Sequence, residues 1–498
     1  MSQYYDLFLT PNETLSINVT PAPTPLLRTV RCCKASTCQR VVCYYTNWSQ
    51  YRPEPFKFFP ENIDPRLCTH INYAFAKMNG NQLAAFEWND MSETWAKGMY
   101  ERTKDHVKAQ NPNAKILLSV GGWNMGSEPF TAMVATAAGR QEFATTSVTF
   151  LREQGFDGLD LDWEYPANRG SPPEDKQNYI EWLKVLDAVY RDEATTTGNE
   201  RLLLTAAVAA GKTTIDTGYD VPAAATYLDF INIMTYDLHG SWDNTTGHNS
   251  PLYADPSETG DQVFLNVDWA ARYWESLGLP KEKLVLGLPT YGRTFTLESA
   301  TQTSLGDSVS GGGSAGKYTR EGGFLSYYEI CAMINSGTPV HRINSQRVPY
   351  IVSGTQWIGY DDEQSLREKV QYTLTNGYGG VMVWALDLDD FSNACGYGVY
   401  PLMNAIVNEC GGIPVPAVVP TEAPAATEAP PVATTAAPVG DGGFCDGKAD
   451  GLHSDPTTCA FYYNCAAGQT NRMQCAPGTV FSVGGGACDF PANVPECA

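Results

Sequence analysis

The stretch Phe156-Asp157-Gly158-Leu159-Asp160-Leu161-Asp162-Trp163-Glu164-Tyr165-Pro166 decides how this chain is read. Its acids follow the pattern D-x-x-D-x-D-x-E. Leu159, Leu161 and Trp163 alternate with Asp160, Asp162 and Glu164. A strand points successive side chains to opposite faces. As a strand, the segment sets three carboxyl groups in one row with an apolar row behind them. Residues two apart on a strand lie about 6–7 Å from each other. Like charges that close raise one another's pKa, which keeps one acid protonated near neutral pH, as a general acid requires. A solvated acidic edge would not be interleaved with Leu, Leu and Trp. A calcium loop needs D-x-[DN]-x-[DN]-G and a Glu at its twelfth position, and this stretch has neither. The pattern predicts a catalytic carboxylate site.

Outward from this stretch, short apolar, β-rich segments recur at 40–48, 70–76, 115–122, 158–165, 202–210, 230–237, 284–292 and 380–387. Several are near-continuous hydrophobic runs, as expected of parallel strands buried on both faces. Helical patterns separate most of them. In 174–191, Tyr179, Trp182, Leu183, Leu186, Val189 and Tyr190 recur at spacings of three and four. The alternation predicts an α/β fold, a (β/α)8 TIM barrel. The rhythm breaks between the seventh and eighth strands, where a small α+β insertion is expected over about 294–362. Active sites of such barrels lie at the C-terminal strand ends. Glu164, Trp48, Phe75, Trp123, Tyr236, Asp237, Tyr291 and Trp384 all fall at such ends. A single ring there is more often core packing than ligand contact. Together, rings that can stack on pyranose faces and acids that can bond hydroxyls suggest a polysaccharide cleft.

The 498 residues suggest two or three domains. A formal charge of −22 argues against nucleic acid or an anionic membrane as partner and favours a neutral or cationic substrate. No apolar run is long enough for a membrane span. The 14 cysteines include no C-x-x-C pair, and there are only 6 histidines, so no metal site is expected. Disulfides and an oxidising compartment fit better. Asn-x-Ser/Thr sequences at Asn12, Asn18, Asn47 and Asn244 agree with secretion. Residues 1–30 show no basic region and no long apolar core, so no secretory signal is visible and the given start reads as trimmed or misassigned. Residues 1–38 read as a loosely ordered leader and 39–411 as the barrel. Residues 412–441, rich in Pro, Thr and Ala, read as an extended linker. Residues 442–498 hold the last six cysteines, at Cys445, Cys459, Cys465, Cys475, Cys488 and Cys497. A segment this small needs disulfides, whose pairing the spacing leaves open. Phe461, Tyr462 and Tyr463 read either as its mini-core or as a flat platform for sugar.

Together these residues resemble the family-18 glycoside hydrolases, specifically the animal chitotriosidase and acidic chitinase group. The motifs are CYYTNW (43–48), CTHINYAF (68–75), SVGGW (119–123), the acidic stretch, MTYDLHGSW (234–242), GLPTYGRTF (287–295) and VMVWALDLDD (381–390). The tail resembles the peritrophin-A type chitin-binding domain, with its six-cysteine spacing and closing C-D-x-P-x-x-V-x-x-C. It lacks the Trp that related domains often present.

The resemblance implies hydrolysis of internal β-1,4 bonds of chitin by a retaining, substrate-assisted mechanism. Glu164 would be general acid and base. Asp162 would orient the substrate's acetamido group, Asp160 would share a proton with Asp162, and Tyr236 would hold the acetamido oxygen. Trp384 would floor the cleaved subsite beside Tyr44, Phe75 and Met382, and Met234 would also bind substrate. Asp237 would contact the same sugar as Tyr236, Trp48, Trp123 and Trp242 would bind neighbouring sugars, and Tyr291 and Arg293 would contact substrate from the insertion's side. It also implies the disulfides Cys43–Cys68, Cys331–Cys395, Cys445–Cys465, Cys459–Cys497 and Cys475–Cys488. Cys32, Cys33, Cys38 and Cys410 match no family pair, though one N-terminal cysteine could reach Cys410. Chitin and chitooligosaccharides are the partners implied, with no cofactor, a monomeric state and an extracellular location. The alternatives are a chitinase-like lectin, whose members lack the general acid that Glu164 supplies here, and an endoglycosidase trimming glycoproteins.

Overall fold

The computed structural model describes residues 37–413 continuously and, in the tail, 444–445, 448, 451–459, 461–466, 469–475, 480–482, 487–489 and 494. All but two residues each of the expected leader and linker therefore lie outside the described residues. Contacts divide the chain into two compact units, Met1–Val418 and Val419–Ala498.

In chain order the strands of the first unit are β1 (Arg40–Thr46), β2 (His70–Asn79), β3 (Gln82–Ala85), β4 (Lys115–Gly121), β5 (Gly158–Asp162), β6 (Leu203–Val208), β7 (Phe230–Ile233), β8 (Leu284–Pro289), β9 (Tyr291–Leu297), β10 (Val309–Gly312), β11 (Phe324–Ser326), β12 (Val340–Ile343), β13 (Val348–Ser353), β14 (Gln356–Gly359) and β15 (Gly380–Trp384). Eight of them run in the order β1-β15-β8-β7-β6-β5-β4-β2, and β2 pairs with β1 to close the ring. Every pairing within this ring is parallel. This is the expected (β/α)8 barrel. β3 folds back antiparallel on the far end of β2.

The two-residue period sorts the strand side chains. Val41, Cys43, Tyr45, Leu159, Leu161, Val381 and Val383 join the large core against the helices. Val42, Tyr44, Val285 and Met382 point the other way and fill a smaller core inside the barrel. The acids Asp160 and Asp162 take that interior direction, among apolar rings. The entry to β5 is fixed by its neighbours. The helix Ala137–Gln154 ends at Gly155, whose φ of 78° is a left-handed conformation that favours glycine. Asp157, the first acid of the stretch, then faces away from the row. It accepts from the Ile116 backbone N–H at 2.8 Å and from Lys108 Nζ at 2.7 Å, tying β5 to β4 at the bottom of the barrel.

β9 to β14 form a separate six-stranded sheet with the helix Tyr327–Asn335, inserted between barrel strands β8 and β15. This sheet begins at Tyr291, a little before the expected boundary, so Tyr291 and Arg293 lie on the insertion's first strand. Cys43–Cys68 staples β1 to the approach to β2, Cys331–Cys395 ties the insertion's helix to the loop after β15, and Cys38–Cys410 joins the two ends of the barrel unit. The last pair settles one that the sequence left open.

In the second unit β16 (Gly451–Ser454), β17 (Phe461–Ala466) and β18 (Gln469–Gln474) form an antiparallel sheet, and β19 (Val480–Ser482) pairs with β20 (Ala487–Asp489). Cys445–Cys465 is closed. Cys459 and Cys475 are also disulfide-bonded. The expected pairs Cys459–Cys497 and Cys475–Cys488 each end on a side chain outside those described. Among the described residues no helix is long and apolar enough to cross a membrane.

Candidate active site

Asp160 sits at the centre of the barrel and is fully buried. Four inward side chains on four strands converge on it. Tyr44 Oη donates to Oδ2 at 2.6 Å and Ser119 Oγ donates to the same atom at 2.9 Å. Thr205 Oγ1 and Asn232 Nδ2 donate to Oδ1 at 2.6 and 3.4 Å. Register brings them together, since Ser119 and Thr205 lie opposite Asp160 on β4 and β6. Burial raises the pKa of Asp160, and these hydrogen bonds work against the rise by favouring the charged form. With its lone pairs taken up by donors from other strands, Asp160 influences Asp162 as a charge.

Asp162 lies one step up the row, 3% exposed. Its Oδ1 is buried with no hydrogen-bond partner. Burial, then repulsion from Glu164 and Asp160, push its pKa well above the carboxylate range. Glu164 lies just past the end of β5 and is 8% exposed. Burial raises its pKa to about 7, while a hydrogen bond from Tyr165 and the Arg169 guanidinium work against the rise. Trp163 faces away and anchors the backbone between them. It stacks on Phe130 at 5.1 Å and donates from Nε1 to Ser127 Oγ at 3.1 Å.

The SVGGW motif explains itself beside this row. A Cβ on Gly121 would lie 2.0 Å from the Asp162 carbonyl oxygen, and one on Gly122 would lie 2.5 Å from the Phe75 ring. Both residues have positive φ, so only glycine lets β4 pass this close to the acidic row.

The rings collect on two sides of the row. Trp384 stacks on Phe75 at 5.7 Å and lies 5.2 Å from Tyr44, while Trp48 stacks on Phe75 at 5.8 Å. On the other side Tyr236 meets Met382, its Oη 3.6 Å from Sδ, and meets Tyr291 ring to ring at 6.1 Å. Met234 is half-buried against the same cluster. Asp237 is held by Tyr291 Oη at 2.7 Å and Arg293 Nε at 2.6 Å. Arg293 also lies over the Trp242 ring, 5.3 Å from its centre. Trp123 and Trp242, 59% and 57% exposed, present open faces at the rim. Non-proline cis peptides occur at Ala74–Phe75, Glu164–Tyr165 and Trp384–Ala385, each at a residue of this site.

Sequence reasoning missed Ser119, Thr205 and Asn232, the donors to Asp160, although each occupies an inward position of a recognised strand. It also missed Arg169, which donates to the Glu164 carbonyl at 2.9 Å and stacks on Trp123 at 3.4 Å. In the tail, alternation along β17 splits the three rings. Tyr463 is 5% exposed and stacks on Phe444 at 3.8 Å, so it belongs to the mini-core. Phe461 faces the same way under Arg472, and Tyr462 faces the opposite way and stacks on Phe481 at 4.9 Å. A single flat platform of three rings is therefore not formed.

A (β/α)8 barrel with a proton-holding carboxyl row in a ring-lined mouth has the layout of a glycoside hydrolase. Residues 40–389 match the glycosyl hydrolases family 18, and the chain belongs to that family. Residues 445–497 match the chitin binding Peritrophin-A domain. Chitotriosidase-1 of Mus musculus is 44% identical, over 91% of this chain and 95% of its own length. The endochitinase of Brugia malayi is 39% identical, over 91% and 94%. Among solved structures, an immunomodulatory active chitinase from Trichuris suis is 41% identical with a TM-score of 0.70, covering 74% of this chain and 98% of its own. Human YKL-39, described as a pseudo-chitinase with retained chitooligosaccharide binding, is 43% identical with a TM-score of 0.71, over 75% and 99%.

Proposed function

We propose that this protein is a secreted, monomeric endochitinase that cleaves internal β-1,4 bonds of N-acetylglucosamine polymers with retention. The observation that carries the reading is Glu164, buried at the mouth of the barrel with its pKa raised to about 7. In this reading Glu164 protonates the glycosidic oxygen as the bond to C1 breaks. The substrate's acetamido oxygen attacks C1 and forms a cyclic oxazolinium, so no enzyme carboxylate serves as nucleophile. The unpartnered Oδ1 of Asp162 is an acceptor for the acetamido N–H. The Asp160 charge favours retention of the Asp162 proton until substrate arrives. Tyr236, next to Met382 and Tyr291, holds the acetamido oxygen. Glu164, now a carboxylate, takes a proton from the water that opens the ring. Trp384 floors the cleaved subsite beside Phe75, Tyr44 and Met382, and Asp237 contacts the same sugar as Tyr236. Trp48, Trp123 and Trp242 bind neighbouring sugars, and Tyr291 and Arg293 reach the substrate from the insertion.

The proposed domain plan is a catalytic unit over 39–411, a linker over 412–441 and a chitin-binding unit over 442–498, where Phe461 and Tyr462 remain the candidate contacts. The disulfides of the barrel support an oxidising, extracellular setting.

The test is hydrolysis of a chitin tetramer by wild type and Glu164→Gln, with binding measured in parallel. Wild type should turn over. The variant should bind as well and lose at least about 100-fold in rate, the usual contribution of a positioned acid. The lectin reading has one observation in its favour, the likeness to a pseudo-chitinase. Wild type that binds the tetramer and never cleaves it, from acidic to neutral pH, would establish that reading instead. Cleavage of N-glycans without turnover of chitin oligomers would establish the glycan-trimming one.

A further inference from the structure

Of the four Asn-x-Ser/Thr sequences, two fall within the described residues, and their surroundings are opposite. Asn47 is fully buried. Its side-chain nitrogen donates to the Phe75 carbonyl at 3.1 Å and to Asp90 Oδ2 at 3.2 Å, so it has no room for a substituent. Asn244 is exposed. Its sequence context, Asn244-Thr245-Thr246, follows the turn in which the Asp243 N–H donates to the Gly240 carbonyl at 2.9 Å. The segment then docks against the loop before β10. Val309 N–H donates to the Asn244 carbonyl at 3.1 Å, Thr246 N–H to the Asp307 carbonyl at 2.9 Å, and Thr245 forms a β-bridge with Ser308. The backbone is pinned on the insertion, while the Asn244 side chain faces solvent.

We infer that Asn244 carries an N-linked glycan, set two residues from Trp242 at the rim of the cleft. The inference rests on the export proposed above. In the transfer the Asn244 side-chain nitrogen bonds to C1 of the first N-acetylglucosamine of a lipid-pyrophosphate-linked oligosaccharide. The C1–O bond to the pyrophosphate breaks, the lipid pyrophosphate leaves, and an amide proton goes to solvent. The structure also orders the events. The transferase must reach the Thr246 hydroxyl, yet in the folded protein Thr246 is 3% exposed and its hydroxyl donates to the Ser304 carbonyl at 2.8 Å. Transfer therefore precedes docking of this segment on the insertion. The same timing makes Asn47 a position that must escape modification, because a sugar there would prevent its amide from reaching Phe75 and Asp90. Once folded, the Asn244 glycan projects into solvent two residues from the exposed Trp242.

The experiment is to secrete the full chain from eukaryotic cells behind an added signal sequence, together with a reference glycoprotein. The added signal tests the site even if the natural chain is not exported. Enzymatic release of N-glycans in ¹⁸O-water converts each occupied Asn to labelled Asp, which peptide mapping locates. Label is expected at position 244 and not at 47, and Asn244→Gln should abolish the gel shift that release produces for that site. An unlabelled Asn244 beside an occupied reference protein overturns the proposal. Label at Asn47 in folded protein overturns the claim that this position must escape modification. Wild-type mapping needs no variant, so the outcome does not depend on how Asn244→Gln folds.

Discussion

A carboxyl that gives its proton to a leaving oxygen must still hold that proton at the working pH. Burial does this for Glu164, raising its pKa from 4.5 to about 7. Activity should therefore fall as the pH rises through about 7 and the proton is lost. The same shift sets a stability trend. The folded state binds this proton more tightly than the unfolded chain, so its contribution is full below 4.5 and disappears by about 7. Above that the buried charge costs on the order of 3 kcal/mol. Glu164→Gln should consequently unfold at a higher temperature than wild type at pH 8, with the gap closing towards pH 5. A gap that does not depend on pH would mean that the carboxyl is not buried as charge. The acidic row itself was legible from its two-residue period. The same period sets Asp157, three residues before Asp160, on the opposite face, but did not reveal its role as a backbone tie. The donors to Asp160 were not legible, because Ser119, Thr205 and Asn232 come from three different strands and meet only through the register of β4 to β7, which no single segment states.

Among the elements, the loop after β3 shows how much of the site is held from outside the barrel strands. Asp90 is fully buried at its root and accepts four bonds. They come from Tyr73 Oη at 2.5 Å, Asn47 Nδ2 at 3.2 Å and the backbone N–H groups of Phe86 and Glu87 at 3.2 and 2.8 Å. This one carboxylate ties the loop to β2 and to the short helical turn Asn47–Tyr51, which carries Trp48. Asp90→Ala leaves buried donors unpaired and should cost about 1–3 kcal/mol in denaturant unfolding, with weaker binding of long oligomers as Trp48 loses its support. Unchanged stability would show that water replaces the carboxylate. The barrel strands were legible as elements because parallel strands buried on both faces give unbroken apolar runs. The insertion was legible as an interruption, but its sheet starts at Tyr291 because β8 passes almost directly into β9. No turn signal separates them.

For the whole molecule the two compact units suggest a division of labour. Deleting residues 412–498 should leave hydrolysis of short soluble oligomers nearly unchanged and lower it on crystalline chitin, since tethering raises local concentration only at an insoluble surface. Equal loss on both substrates would mean that the second unit supports the fold of the first. Domain order was readable from composition, because a Pro-rich run and a cysteine cluster are local signals. The Cys38–Cys410 pair is not local; its partners lie 372 residues apart and meet only because a barrel brings its first and last elements side by side. That bond makes the barrel unit a covalent ring. A ring can be cut once and remain one molecule. A single proteolytic nick in an exposed loop such as 255–262 should thus pass unseen on a non-reducing gel and appear as two fragments only after reduction. The same geometry allows the chain to be reopened at such a loop with its old ends joined, giving a permuted barrel with the same mouth.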